Sequence, residues 1–256
     1  MTDAGNATVD VLAVGAHPDD VELGCGGTLA ALVARGQRVG ILDLTRGEMG
    51  TRGTPDARAA EAAEAARILG ALFRETLDLG DGGLKTDRGA ELAILDVVRR
   101  RRPRLVLAPL PSDRHPDHVR AGRLTTDAAF YAGLRALVTG VPAHRPQQVV
   151  YYPSTFVAEL SFLVDVSAAF DTKLRAIRAF RSQFHDPGST EPETFISSKA
   201  FLDGVVGRAQ AFGRLSNVAY AEGFVALRPP TLADPVAAFE GYEPGFEGAA
   251  EGGGGG

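Results

Sequence analysis

Short apolar runs that alternate with helical segments are the feature that most restricts how this chain can fold. Val9–Val14 and Val39–Leu44 are short, mostly apolar runs, each with a single aspartate, and each reads as a buried strand. Between them, Val21–Arg35 carries small and apolar residues at helical spacing until Gly36 stops it. A loop, Thr45–Thr54, leads to Pro55, where a helix can open, and to the alanine-rich Ala57–Leu69. Phe73–Asp78 reads as a strand, Ala90–Arg102 as a helix and Leu105–Pro109 as a strand again. This alternation predicts βαβ units: an α/β fold with a Rossmann-like, mostly parallel sheet flanked by helices. A longer helix is expected over Val119–Val138, strands at Val149–Tyr152 and Phe162–Val166, and helices at Ala168–Ser182 and Lys199–Leu215.

The 256 residues are enough to bury a sizeable core, and we expect one domain over 1–228. From 229 to 256 the composition turns to Gly, Pro and acidic residues, ending in five glycines. Such a segment buries too little apolar surface to offset its ordering entropy, so a flexible tail is expected. The net charge of -5 argues against nucleic-acid binding. The arginines at Arg99–Arg102 fall at the end of a helical pattern, where cations complement the helix dipole. One cysteine, Cys25, excludes an internal disulfide, suits a reducing cytosol and reads as a small core residue. No basic-then-apolar leader and no apolar run of about 18 residues is present, so a cytoplasmic protein without a membrane partner is expected.

Two of the five histidines open near-identical tetrapeptides, His17-Pro18-Asp19-Asp20 and His115-Pro116-Asp117-His118. Each lies just past the C-terminal end of an expected parallel strand, the edge where open α/β sheets bind ligands. Zinc in a hydrolytic site takes three ligands from His, Asp or Glu and leaves one position for water. His17 with Asp20, and His115 with His118, have the i, i+3 spacing that puts two side chains on one side of a helix start. One pair plus one member of the other supplies His₂Asp. A metal held so lowers the pKa of water toward ~7 and polarises an acetyl carbonyl. Asp19, left free, can accept the proton from that water. An imidazolium at His115 can stabilise the oxyanion or protonate the leaving amine, with Asp117 orienting it and favouring its charge.

Both motifs also have a purely structural reading, since Asp19-x-x-Glu22 resembles a capping box and Asp117 could cap the helix near Val119. Gly24-Cys25-Gly26-Gly27 is not a dinucleotide fingerprint, because position 29 is Leu29 and the run lies inside a helix; close helix–strand packing explains it better.

VGAHPDDVELGCGGT (Val14–Thr28) and DRHPDH (Asp113–His118) resemble the two metal motifs of the PIG-L/LmbE family of zinc-dependent N-acetylglucosaminyl deacetylases. The likeness runs on through RSQF (Arg181–Phe184) to YAEGF (Tyr220–Phe224). It implies zinc on His17, Asp20 and His118, Asp19 as base, and His115 as partner of the oxyanion or leaving group with Asp117 behind it. Iron(II) or cobalt(II) would suit the same donors. Thr45–Ala71 resembles the bacillithiol-pathway members, which deacetylate N-acetylglucosaminyl-malate, and Arg58 is similar to an arginine that contacts substrate there. The helix-surface alternative for Arg58 pairs it with Glu61. Phe201 stands where related enzymes often carry a tyrosine, which would remove a hydroxyl from the pocket rim. The resemblance further implies a homo-oligomer, a trimer or hexamer. Two alternatives are deacetylation of a chitooligosaccharide or inositol-linked sugar, and a non-catalytic nucleotide-binding α/β protein that would hold no stoichiometric zinc.

Overall fold

The computed structural model describes residues 7–154 and 159–239. The chain runs β1 (Val11–Gly15), α1 (Asp20–Ala34), β2 (Val39–Asp43), α2 (Pro55–Leu69), β3 (Phe73–Thr76), α3 (Arg88–Arg101) and β4 (Leu105–Pro109). It continues through α4 (Pro116–Ala132), β5 (Gln148–Tyr152), β6 (Phe162–Asp165), α5 (Phe170–Ala179), α6 (Lys199–Leu215) and β7 (Ala221–Ala226). The strands form one sheet in the order β3-β2-β1-β4-β5-β7-β6.

The apolar runs have the expected cause. In β1, Val11 and Ala13 face a core shared with α1, α2 and α5, while Leu12 and Val14 face a second core shared with α3 and α4. From β3 to β5 all neighbours are parallel. The chain builds β2 and β3 on one side of β1 and β4 and β5 on the other. The β1–β4 boundary is therefore the topological switch point, where a crevice opens at the carboxyl ends of the strands.

Helix α1 survives its glycines because it lies against the sheet. A Cβ on Gly24 would sit 2.1 Å from the Tyr152 ring, which is pinned by its hydroxyl donating to Val14 O at 2.7 Å. The helix bends at Cys25 (φ -143°, ψ 15°), whose side chain is fully buried.

Three expectations need correction. Helix α4 stops at Ala132, short of Val138, because buried Arg99 donates to the carbonyls of Ala132, Leu134 and Leu137 and holds the segment beyond it in turns. Arg99 is thus an interior crosslink. Helix α5 starts at Phe170, after a 3-10 turn at Ser167–Ala169. The third correction is β7, antiparallel to both β5 and β6, in a stretch where no strand was expected. Its Glu222 and Gly223 interrupt the apolar pattern, yet Glu222 is buried. The Glu222 carboxylate accepts from Gly27 N (3.0 Å) and Thr28 N (2.7 Å) and pairs with buried Lys173, tying the strand to α1 and α5.

After β7 the chain is exposed over residues 227–238, and residues 240–256 of the expected tail lie outside the described residues. Among the described residues no helix is long and apolar enough to cross a membrane.

Candidate metal centre

His17 follows β1 and His115 follows β4, and because these strands are hydrogen-bonded neighbours the two tetrapeptides meet. Ring centroids of His17 and His118 are 5.5 Å apart, and His115 lies 4.8 Å from each. Asp20 bridges the outer pair: its Oδ2 is 3.4 Å from His17 Nδ1 and its Oδ1 is 3.1 Å from His118 Nε2.

The far nitrogen of each imidazole meets another carboxylate. His17 Nε2 is 3.0 Å from Asp81 and 3.7 Å from Asp117, and His118 Nδ1 is 3.3 Å from Asp113. These are oblique charge contacts, for neither buried nitrogen has an aligned hydrogen bond. Protons held on those far nitrogens leave both lone pairs pointing toward Asp20. Carboxylates behind the ligands are the usual support of a metal-binding histidine. Asp20, Asp81, Asp113 and Asp117 around two imidazoles are also an environment that attracts positive charge. Burial lowers the His118 pKa, but Asp20 and then Asp113 outweigh it and push the value up to about 10. His17 behaves alike: burial opposes protonation, and Asp117, Asp20 and Asp81 raise its pKa well above the ordinary value. Burial raises Asp20 too, but the two imidazoles pull it well below the carboxylate range. The place that draws protons so strongly suits a divalent cation equally well, and the His/Asp donors fit zinc. Among the described residues, the donor groups lying within 4.8 Å of one another are His17, His115 and His118, and His17, Asp81 and Asp117; Asp20 belongs to neither and enters through its contacts with His17 and His118.

Neither structural reading of the motifs holds. Asp19 caps nothing with its side chain, and Glu22 is buried against Arg74, which also grips Asp43. Asp117 lies inside α4, whose cap is His115. Asp19 instead adopts the left-handed region (φ 119°), a strain of about 1–3 kcal/mol for a non-glycine residue that marks functional sites. Its carboxylate is buried and accepts from Arg58 Nη2 at 2.9 Å. Burial pushes the Asp19 pKa up to about 7, against the opposing Arg58 charge and with Asp20 adding to the rise.

Two expected contacts differ. The Asp117 carboxylate does not stand behind His115; it accepts from Gly82 N (2.8 Å) and Arg120 Nη1 (2.9 Å) and faces His17. Only the Asp117 backbone N–H reaches His115, donating to Nδ1 at 3.2 Å. That acceptor role puts a neutral ring's proton on Nε2. Burial, with His17 and His118 alongside, lowers the His115 pKa, which works against the expected imidazolium. Arg58 is buried at the edge of the histidine cleft; its Nη2 donates to Asp19 and Pro18 O (2.8 Å) and its Nη1 to Gly47 O (3.0 Å), its Nε has no partner, and Glu61 holds Ser182 instead. A Cβ on Gly47 would fall 2.3 Å from Arg58, so the loop closes over it only with glycine there.

The cluster floors a cleft of about 430 Å³ whose walls include Met49, Arg52, Arg114, Phe195 and Phe201. Arg52 joins the walls by donating to Ser182 O and Pro192 O, while Gln183 of the RSQF stretch donates back to Arg52 O. A smaller cavity of about 280 Å³ beside α2 holds none of the histidines. Asp81 and Asp113 are the site residues that sequence reasoning missed. Asp113 was in view, two positions before His115, but Asp81 sits in a glycine-rich turn with no distinguishing signal.

Switch-point topology and a buried His/Asp cluster under an open cleft define an α/β protein with a candidate hydrolytic metal centre. Residues 12–129 match the family model PIG-L: GlcNAc-PI de-N-acetylase. The chain is similar to the diacetylchitobiose deacetylase of Thermococcus kodakarensis, with 34% identity over 85% of this chain and 83% of that one. It is similar to a 1D-myo-inositol 2-acetamido-2-deoxy-alpha-D-glucopyranoside deacetylase of Saccharomonospora viridis, with 30% identity over 76% and 91%. Among solved structures, the conserved protein TT1542 of Thermus thermophilus superposes with a TM-score of 0.80 at 44% identity, covering 89% of this chain and 98% of that one. The chain belongs to the PIG-L deacetylase family.

Proposed function

We propose that this protein hydrolyses the N-acetyl group of a GlcNAc conjugate whose second moiety is another ring, as in a chitooligosaccharide or an inositol-linked sugar. The observation that carries the chemistry is the convergence of His17 and His118 on Asp20 beside the strained, buried Asp19. His17, Asp20 and His118 would hold the cation, with zinc the first choice and iron(II) or cobalt(II) compatible. A divalent cation bound there supplies polarisation of the acetyl carbonyl and water of lowered pKa.

The protein's own groups do the rest. Asp19, with its pKa near neutrality and drawn lower by any nearby cation, accepts a proton from the attacking water. Arg58 keeps that carboxylate ionised and aimed. The His115 Nε2–H donates to the oxyanion as the carbonyl becomes tetrahedral. The C–N bond then breaks, and the proton held by Asp19 passes to the departing amine, leaving acetate and a free amino sugar.

The bacillithiol-type reading, with malate as the second moiety, has less support than the alternative. The two relatives named above act on diacetylchitobiose and on an inositol glycoside, and the Arg58 Nη1 and Nη2 atoms already donate to Gly47 O, Pro18 O and Asp19, leaving only its buried Nε without a partner. Acetate release by zinc-loaded protein from GlcNAc, diacetylchitobiose, the inositol conjugate and GlcNAc-malate tests the proposal. We expect the two-ring substrates to lead and chelation to abolish turnover. Fastest turnover of GlcNAc-malate would restore the malate assignment, and no acetate from any substrate would end the deacetylase reading.

A further inference from the structure

Phe195 is 64% exposed, yet it is not a loose surface residue. It sits at the tip of the turn before α6, where Thr194 N donates to Ser197 Oγ (2.8 Å), Ser197 N to Thr194 O (3.2 Å) and Ser198 Oγ to Phe195 O (2.9 Å). Behind it runs a ladder of rings into the core. Phe195 meets Phe201 edge-on at 5.4 Å, Phe201 stacks parallel with Phe184 at 6.1 Å, and Phe184 meets Phe180 edge-on at 6.4 Å. Phe180 and Phe184 are fully buried. A rigidly backed phenyl ring is thus held at the wall of the cleft that contains the histidines. The exposed Arg114 side chain, next in sequence to His115, lays its guanidinium over one face of the Phe195 ring, 5.3 Å from the ring centre, and leaves the other face open.

We infer that Phe195, with Arg114 beside it, forms the subsite for the second ring of the substrate, a specificity determinant that rests on the deacetylase reading above. A polyhydroxylated six-membered ring presents axial C–H groups on its face and hydroxyls around its equator. The phenyl surface takes the C–H face, and the guanidinium fork donates to the equatorial hydroxyls. A malyl chain has no such face; it would use Arg114 and leave Phe195 idle. The pairing of a flat apolar surface with a donor fork therefore selects a ring over a carboxylate chain.

The test compares diacetylchitobiose with GlcNAc on wild type, Phe195→Ala, Phe195→Leu and Phe195→Trp, each zinc-loaded, and adds calorimetric titration of chitobiose into each. In Phe195→Ala and Phe195→Leu the ratio of kcat/KM for the disaccharide over GlcNAc should fall ~10-fold, carried by KM, with a matching loss of chitobiose affinity. Phe195→Trp, still flat, should keep both. A fall shared equally by the two substrates would make Phe195 a structural part of the turn and overturn the proposal, as would a ratio unmoved in every variant. Wild type that releases no acetate from these two, from the inositol conjugate or from GlcNAc-malate, and binds no chitobiose, would end the deacetylase reading and this subsite with it. Wild type that turns over both, with all variants alike, ends the subsite alone.

Discussion

The two HPD tetrapeptides share three residues and a position at the end of neighbouring strands, yet they enter their helices two residues out of step. In the first, α1 begins at Asp20, so Asp19 stays outside the helix in a left-handed conformation and turns its carboxylate to Arg58. In the second, α4 begins at Pro116, so His115 is the cap and Asp117 already lies in the first turn, facing His17 and Gly82. The fourth residues, Asp20 and His118, meet across the crevice at 3.1 Å. The third residues therefore have different environments: Asp19 is a buried carboxylate poised near pH 7, whereas the His17 imidazole facing Asp117, with hydrogen bonds from Arg120 and Gly82 N, holds the Asp117 pKa far below the ordinary range. A two-residue shift in where the helix starts separates a base from a ligand support.

Breaking each third residue in turn sharpens that contrast. Asp19→Asn should lower kcat by ~10²–10⁴-fold while the protein still binds one zinc, measured by steady-state kinetics beside metal content. Loss of zinc in that variant would mean the roles of Asp19 and Asp20 are exchanged. Asp117→Asn should act on the metal instead, weakening zinc affinity or activity about 10–100-fold, as read by competition with a chelator. Unchanged zinc affinity there, with kcat down as far as in Asp19→Asn, would place both carboxylates in the proton path. The smallest effect is expected from Arg58→Gln. Arg58 holds the Asp19 pKa down against burial, so its removal lets that pKa rise. Asp19 is active only when ionised; the fall in kcat/KM on acidification should thus begin at higher pH, by roughly one unit or more. An unmoved acid limb would detach Arg58 from Asp19 and favour a direct contact with substrate.

The parallel half of the sheet and the antiparallel edge differ in how much the amino-acid order reveals. Strands β1, β2 and β4 are apolar on both faces because helices cover both, so they stand out as mostly apolar runs. Strand β7 hides behind Glu222, a charge tolerated in the interior only because Lys173, Gly27 and Thr28 from two helices meet it. Likewise Arg99 reads as a helix-end cation and proves to be a buried crosslink to carbonyls more than thirty positions away.

Local order determined the parallel core, both HPD motifs and the pool of candidate donors His17, Asp20, His115 and His118, because strand periodicity and i, i+3 spacing are properties of neighbouring residues; the choice of His118 over His115 rested on the family resemblance. Tertiary structure alone decided that Asp81 and Asp113 back the imidazoles, that Arg58 serves Asp19 and that Asp117 turns from His115 to His17. Those partners come from separate loops and helix starts over the switch point. Coulomb attraction and desolvation depend on distance in space, which the order of residues along the chain does not encode.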